Sequence, residues 1–145
     1  MAPENGAGIV LDTSFLVAYH NQRDVHHGRA LDVMDRLRTG EWGLALLPEY
    51  VFLELVTVLA RRRDLTTAVS AGDSLLASEE LVFVPCSEIF LDAFDVFRGL
   101  DSSNPSFADA AIVAIARQRG IERIATFDRD FLGVAGLEVV PNPAS

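Results

Sequence analysis

The sequence contains no lysine, so all 12 of its basic residues are arginine. The absence of a lysine amine excludes the lysine-based phosphate grip of P-loop proteins and Schiff-base catalysis. Cys86 is the only cysteine, so the chain can form no internal disulfide and no zinc site built from several thiolates. We interpret Cys86 as a small apolar residue at the end of a strand.

Long hydrophobic runs are also missing, and none approaches the ~20 residues that a membrane helix needs. The first residues lack the basic-then-apolar order of a signal peptide. Half of the 145 residues are nonetheless hydrophobic, which is enough for a substantial core. We therefore expect a cytoplasmic protein with a single domain over 1–145, in which 1–7 form a flexible tail.

Positive charge is scarce, because 21 acidic residues outnumber the 12 basic ones and the net charge is −9. Nucleic-acid phosphates are bound by positive charge, so such a partner requires basic residues concentrated in one place or bound metal ions. Arg61, Arg62 and Arg63 form the one run of arginines. We interpret this run as a solvated helix end, with RNA phosphate contact as a weaker hypothesis.

Short apolar segments alternate with helical patterns along the chain. The predicted strands cover 9–11, 44–47, 81–84, 124–126 and 137–140. Helices are predicted from Ser14 with a cap at Thr13 or Ser14, at 30–40, at 49–62, after Asp64, at 90–98 and at 106–120; 20–27 is predicted to be a loop and 100–105 a turn-rich segment. This alternation predicts an α/β fold with a parallel sheet and right-handed crossovers.

Acidic residues follow two of these strands. Asp12 comes directly after 9–11, and Asp128 comes shortly after 124–126. Ligands of open α/β sheets bind at the carboxyl ends of the strands, so both side chains are candidates for a site there. Each is also explained by a helix cap or a turn, and Asp130 is an alternative to Asp128.

Two further acids occur in predicted helices. Glu54 lies within the apolar helix 49–62, which we expect to be largely buried. A buried carboxylate is usually paired, protonated or bound to a cation, although a narrow solvent-facing strip would also accommodate Glu54. Asp109 follows Ser106 at the spacing of a capping box, so local capping is the alternative to a functional role.

Four carboxylates at one edge of a sheet repel each other unless cations neutralise them. Such hard oxygen ligands suit Mg²⁺ or Mn²⁺, and a pair of these ions can activate water for phosphodiester hydrolysis. A zinc site at His20, His26 and His27 is a weaker hypothesis, because neither CxxC nor HExxH spacing is present. We expect these histidines to lie in a solvated loop.

The acidic segments, taken in order, resemble a known family. The segments LDTSFL at 11–16, FLEL at 52–55, SFADAAI at 106–112 and TFDRDF at 126–131 are similar to the four acidic motifs of PIN-domain proteins. The similarity is greatest to VapC-type toxin ribonucleases of toxin–antitoxin modules.

This resemblance implies a PIN-like three-layer α/β/α sandwich with a five-stranded parallel sheet. It implies an endoribonuclease that depends on Mg²⁺ or Mn²⁺, forms a homodimer, acts on RNA and is inhibited by a cognate antitoxin. The implied catalytic and metal-binding acids are Asp12, Glu54, Asp109 and Asp128. Ser14 and Thr126 match positions at which the family carries supporting hydroxyls.

Two alternatives to a ribonuclease remain at this stage. A degenerate PIN module could serve as a non-catalytic binding scaffold, although all four acids are present. A haloacid-dehalogenase-like phosphatase would use an aspartate nucleophile in a DxD arrangement. Ser14 occupies the second acidic position of that arrangement, and the supporting lysine is absent.

Overall fold

Five short parallel strands form the central sheet of the structure, a computed structural model that describes residues 7–100 and 106–143. The strands are β1 (Ile9–Leu11), β2 (Ala45–Pro48), β3 (Leu81–Val84), β4 (Arg123–Ala125) and β5 (Glu138–Val140). Their order is β3-β2-β1-β4-β5, and each neighbouring pair is parallel. The predicted parallel α/β sheet is therefore confirmed.

Helices connect the successive strands. They are α1 (Thr13–His20), α2 (His27–Arg38), α3 (Glu49–Arg62), α4 (Leu65–Ala77), α5 (Cys86–Arg98) and α6 (Phe107–Arg119), with a short 3-10 helix at Arg129–Gly133. The chain proceeds outward from β1 to β3 and then returns to the other side of β1 at β4. Right-handed connections therefore place helices on both faces of the sheet, and the order reverses between β1 and β4.

The core lies between the sheet and the helices that cover it. All three residues of β1 are fully buried, as expected for a central strand covered on both faces. The interior of α6 is also buried, and its alanines allow the helix to approach the sheet closely. Gly120 ends this helix with φ +66°, a conformation that glycine adopts without a steric penalty.

The prediction that α3 is largely buried is wrong for most of its surface. The helix buries one stripe of side chains, and Leu53 is 50% exposed. The buried residues are Val51, Leu55 and Leu59. The apolar composition around the rest of the helix reflects contact with α4, which leaves side chains such as Phe52 and Val56 only half-buried.

Several boundaries differ from those predicted. Helix α1 begins at Thr13 after Asp12, and no side chain caps it, because the Asp12 carboxylate bonds to other partners described below. The loop at 20–27 is shorter than predicted, since His20 ends α1 and His27 begins α2. Cys86 begins α5 rather than ending a strand, and its N–H donates to Glu49 Oε1 at 2.8 Å.

Two predicted segments lie mainly outside the described residues. They are the tail at 1–7, apart from Ala7, and the turn-rich segment at 100–105, apart from Leu100. Within the part of the chain that is described, no helix combines the length and apolarity required to cross a membrane.

Candidate active site

Asp12 lies at the centre of the candidate site, immediately beyond the end of β1. Its side chain is almost completely buried, with only 3% of the residue exposed. Ser14 Oγ donates to Asp12 Oδ2 at 2.7 Å, and Thr126 Oγ1 donates to the same oxygen at 2.6 Å. Because Thr126 follows β4, these bonds join the carboxyl ends of the two central strands.

The same two hydroxyls also accept backbone hydrogen bonds. Ser14 Oγ accepts from Phe127 N–H at 2.9 Å, and Thr126 Oγ1 accepts from Asp128 N–H at 2.9 Å. Each hydroxyl thus orients Asp12 on one side and the segment after β4 on the other. Ser14 and Thr126 are therefore placed to hold the Asp12 carboxylate in a fixed orientation.

Burial and like charge alter the acids of this region. The pKa of Asp12 is raised from 3.8 to about 6, chiefly by burial and to a smaller extent by the charge of Asp109, while the hydrogen bonds from Thr126 and Ser14 oppose the rise. The pKa of Asp109 is raised chiefly by burial; its bonds to Ser106 oppose the rise, and the charges of Asp128 and Glu54 add to it. Neighbouring carboxylates therefore disfavour the ionised forms of Asp12 and Asp109.

Asp109 also belongs to the capping box that begins α6. Its N–H donates to Ser106 Oγ at 3.0 Å, and its Oδ2 accepts from Ser106 N–H at 3.4 Å. Capping and a position on the cleft are thus compatible, because the first turn of α6 points toward the carboxyl edge of the sheet. Helix capping accounts for the backbone hydrogen bonds of Asp109, and the carboxylate still lies close enough to the other acids to interact with their charges.

All four predicted acids line one cleft of about 280 Å³ at the point where the strand order reverses. We call it the acidic cleft; its lining includes Asp12, Thr13, Ser14, Asp24, His26, Glu54, Arg62, Asp109, Phe127 and Asp128. Glu54 is half-buried and lines the cleft, an environment between the buried carboxylate and the solvent-facing strip considered from the sequence.

The other predicted residues lie in different places. Asp130 is exposed and lines a separate depression, although its N–H donates to Asp128 Oδ1 at 2.9 Å. Arg62 lines the acidic cleft, whereas Arg61 borders the groove between α3 and α4. Arg63 Nη1 donates to Asn21 Oδ1 at 2.8 Å. The run of arginines is therefore divided among three environments.

Asp24 and His26 also line the acidic cleft, a position that was not expected for either residue. Their segment was predicted to be a solvated loop, but both side chains line the acidic cleft. Asp24 Oδ1 accepts from His26 N–H at 2.8 Å, as in a turn stabilised by an aspartate. Aspartate two residues before histidine was the available signal, and it indicated a turn without indicating where the turn would lie.

The three histidines occupy three different environments. His26 stacks on Phe127 with ring centroids 4.4 Å apart, and His27 Nδ1 is 2.7 Å from the carbonyl oxygen of Ala18. Burial lowers the pKa of His20 to about 4. The expected solvated loop is wrong, because two of these residues belong to helices and the third packs on an aromatic ring.

A divalent ion such as Mg²⁺ requires oxygen ligands, and the acidic cleft presents carboxylates and hydroxyls. Across 7–100 and 106–143, no three His, Cys, Asp or Glu side chains form a ready-made ion-binding group. Mg²⁺, however, usually binds through one or two carboxylates and retains several waters. Thr13 Oγ1, at the cleft wall, is buried without a hydrogen-bond partner among the described residues. Mutually repelling carboxylates and an unpaired hydroxyl fit a hydrated divalent ion.

The PIN domain family model matches residues 9–137. The chain therefore belongs to the PIN-domain family. It is 31% identical over 133 residues to the 23S rRNA-specific endonuclease VapC20 of Mycobacterium tuberculosis, covering 92% of this chain and 98% of that protein. These similarities confirm the resemblance to VapC-type proteins.

Solved structures support the same fold. The crystal structure of M. tuberculosis VapC20, a Sarcin-Ricin loop cleaving toxin, matches with a TM-score of 0.74 and 28% identity, covering 89% of this chain and 98% of that one. VapBC2 from Rickettsia felis, bound to a DNA fragment from its promoter, matches at 0.64 with 15% identity over 91% of this chain and 96% of that one. The predicted PIN-like α/β fold is confirmed.

Proposed function

We propose that this protein is a divalent-metal-dependent endoribonuclease and the toxin of a VapBC-type toxin–antitoxin module. The observation that carries the proposal is the meeting of four carboxylates, from four separate segments, at one cleft. The similarity to the endonuclease VapC20 supports hydrolysis of RNA. It favours this function over a binding scaffold or a haloacid-dehalogenase-like phosphatase.

Asp12, Glu54, Asp109 and Asp128 would hold Mg²⁺ or Mn²⁺ in this cleft. When bound, such an ion lowers the pKa of water and stabilises charge on the departing phosphodiester oxygen. Ser14 and Thr126 fix the orientation of the Asp12 carboxylate through their hydroxyl hydrogen bonds. The Asp12 carboxylate is buried at the wall of the cleft, where few waters can compete with an ion for its oxygens.

The proposed substrate is RNA, and the activity of VapC20 makes 23S rRNA the first RNA to test. Arg62 lines the acidic cleft and is exposed, which supports its proposed phosphate contact. Arg61 and Arg63 lie beside it in sequence but face other surroundings. We therefore expect them to contribute long-range attraction more than direct contacts.

We also propose two protein partners, a cognate antitoxin and a second copy of the chain. Two exposed apolar surfaces support the proposal, because such patches mark protein interaction sites. One is the groove of about 500 Å³ between α3 and α4, bordered by Leu65 and Leu76. The other is the outer face of α5, where Phe90, Leu91 and Phe94 are exposed.

RNA cleavage by purified protein tests the proposed function. Wild type should cleave 23S rRNA with Mg²⁺ or Mn²⁺ and lose that activity in EDTA. Asp12→Asn and Asp109→Asn should abolish cleavage while circular dichroism shows a folded protein. Asp32→Asn, which removes an exposed charge from α2, is the matched control and should cleave normally. Full cleavage in EDTA, or by Asp12→Asn, would contradict the proposal.

A further inference from the structure

A second pocket adjoins the acidic cleft and shares Phe127 with it. Its volume is about 110 Å³, and its lining includes His26, Arg29, Phe127, Asp128, Arg129 and Pro141. We call it the arginine pocket. His26, Phe127 and Asp128 also line the acidic cleft, so the two cavities share one wall.

Two arginines give this pocket positive charge. Arg29, on α2, donates from Nη2 to the carbonyl oxygen of Asn142 at 3.1 Å, and its Cζ lies 5.9 Å from the Phe127 ring centroid. These contacts hold its guanidinium at the pocket. Arg129 begins the 3-10 helix and is exposed. Within the described ranges, no carboxylate forms an ion pair with Arg129.

Several other arginines differ from Arg129 in this respect. Five are within ion-pair distance of a carboxylate, namely Arg36, Arg38, Arg98, Arg119 and Arg123. In a chain with a net charge of −9, the pocket is therefore a local concentration of positive charge. Among the described residues that line it, Asp128 carries the one carboxylate, whose Oδ1 accepts from Asp130 N–H.

The size and shape of the pocket indicate what it can bind. A water occupies ~30 Å³ in the liquid, so the pocket has room for a few waters or one phosphate group. Planar guanidinium groups donate paired hydrogen bonds to phosphate oxygens. The stacked rings of His26 and Phe127 at the shared wall resemble the aromatic surfaces on which RNA bases stack.

We propose that the arginine pocket binds the RNA phosphate next to the one cleaved in the acidic cleft. This inference rests on the proposed ribonuclease function. An RNA strand that crosses the acidic cleft brings further negative phosphates toward the carboxylates, and they require cationic contacts on either side. Arg29 and Arg129 provide such contacts in the adjoining pocket, so they position the strand.

Binding of adenosine 5′-monophosphate in EDTA tests the pocket without RNA cleavage. As the nucleotide is titrated, the amide and arginine side-chain NMR signals of Phe127, Arg129 and Arg29 should shift. Arg129→Gln should weaken binding ~10-fold, the effect of losing a charge-assisted hydrogen bond. Arg117→Gln is the matched control, because Arg117 is exposed on α6, about two turns beyond Asp109. This variant should bind the nucleotide as tightly as wild type does. Shifts confined to other residues, or equal binding by Arg129→Gln, would overturn the proposal.

Cleavage kinetics supply a second readout. Arg129→Gln should raise KM for RNA more than it lowers kcat, and the slope of log affinity against log salt should fall by ~1. Arg129→Lys should recover part of the loss. Mononucleotide binding at Arg129 without RNA cleavage by any variant would refute the proposed function alone. RNA cleavage with an unchanged KM in Arg129→Gln would refute the pocket alone.

Discussion

Replacing Asp12 with asparagine should stabilise the metal-free protein at neutral pH while abolishing its activity. The carboxylate is buried, and burial is the main reason that its pKa rises from 3.8 to about 6. The folded state therefore resists the ionised form more than the unfolded state does. Asparagine removes the charge and retains an oxygen that can accept from Ser14 and Thr126.

The size of this effect depends on pH. One pKa unit corresponds to 1.36 kcal/mol, so ionised Asp12 costs the folded state ~3 kcal/mol at pH 7.5 and ~1 kcal/mol at pH 4.5. The cost appears as pH rises from the unfolded pKa to the folded pKa and then stays constant. Any fixed difference in packing between Asp and Asn is the same at both pH values.

His20 has the opposite pH dependence. Burial lowers its pKa from 6.5 to about 4, so the unfolded state binds more protons between those values. Its contribution to stability is complete above pH 6.5 and is lost as pH falls toward 4. The wild-type pH profile therefore mixes two opposing groups. His20 contributes equally to both proteins, so its effect cancels in the difference between the unfolding free energies of wild type and Asp12→Asn.

Urea unfolding in EDTA at pH 4.5 and pH 7.5 measures that difference. The stability advantage of Asp12→Asn should grow by ~2 kcal/mol between the two pH values. Asp32→Asn, on the surface of α2, should show no such growth. An Asp12→Asn difference that stays constant, or that shrinks as pH rises, would refute the reasoning.

Other predictions concern the metal and the supporting residues. Mn²⁺ at 100 times its Kd should stabilise wild type by ~2.7 kcal/mol, measured by thermal unfolding, and should leave Asp12→Asn unchanged. Thr126→Val should lower RNA cleavage, and it should lower the free energy of unfolding in urea by ~1–3 kcal/mol. The valine removes the donor to Asp12 Oδ2 and the acceptor of the Asp128 N–H. Thr57→Val, at an exposed position, is its control. Asp128→Asn should reduce cleavage and Asp130→Asn should preserve it, and the reverse result would move the assignment to Asp130.

The sheet and two of the candidate acids could be predicted because the signals are local. The run at 9–11 is short, apolar and followed at once by Asp12, which is typical of a buried strand and its carboxyl end. A similar short segment, 124–126, ends two residues before Asp128. Parallel strands align these ends at one edge, so their proximity follows from the topology. Their role in catalysis stays a prediction.

The surroundings of the other acids could not be predicted, because they depend on packing between distant segments. Helix α3 is apolar on several faces, and its sequence does not show that Glu54 faces a cleft instead of the core. Asp24 and His26 form a local turn whose sequence resembles a solvated loop. The stacking of His26 on Phe127 joins that turn to the segment after β4, which lines the cleft.

Anomalous diffraction from crystals grown with Mn²⁺ tests the central claim most directly. We expect a manganese peak in the acidic cleft, within coordination distance of at least one carboxylate oxygen of Asp12 or Asp109. The peak should disappear in crystals of Asp12→Asn. A saturated crystal with no manganese between these side chains, or with the peak unchanged in the variant, would contradict the claim that the cleft binds a divalent ion.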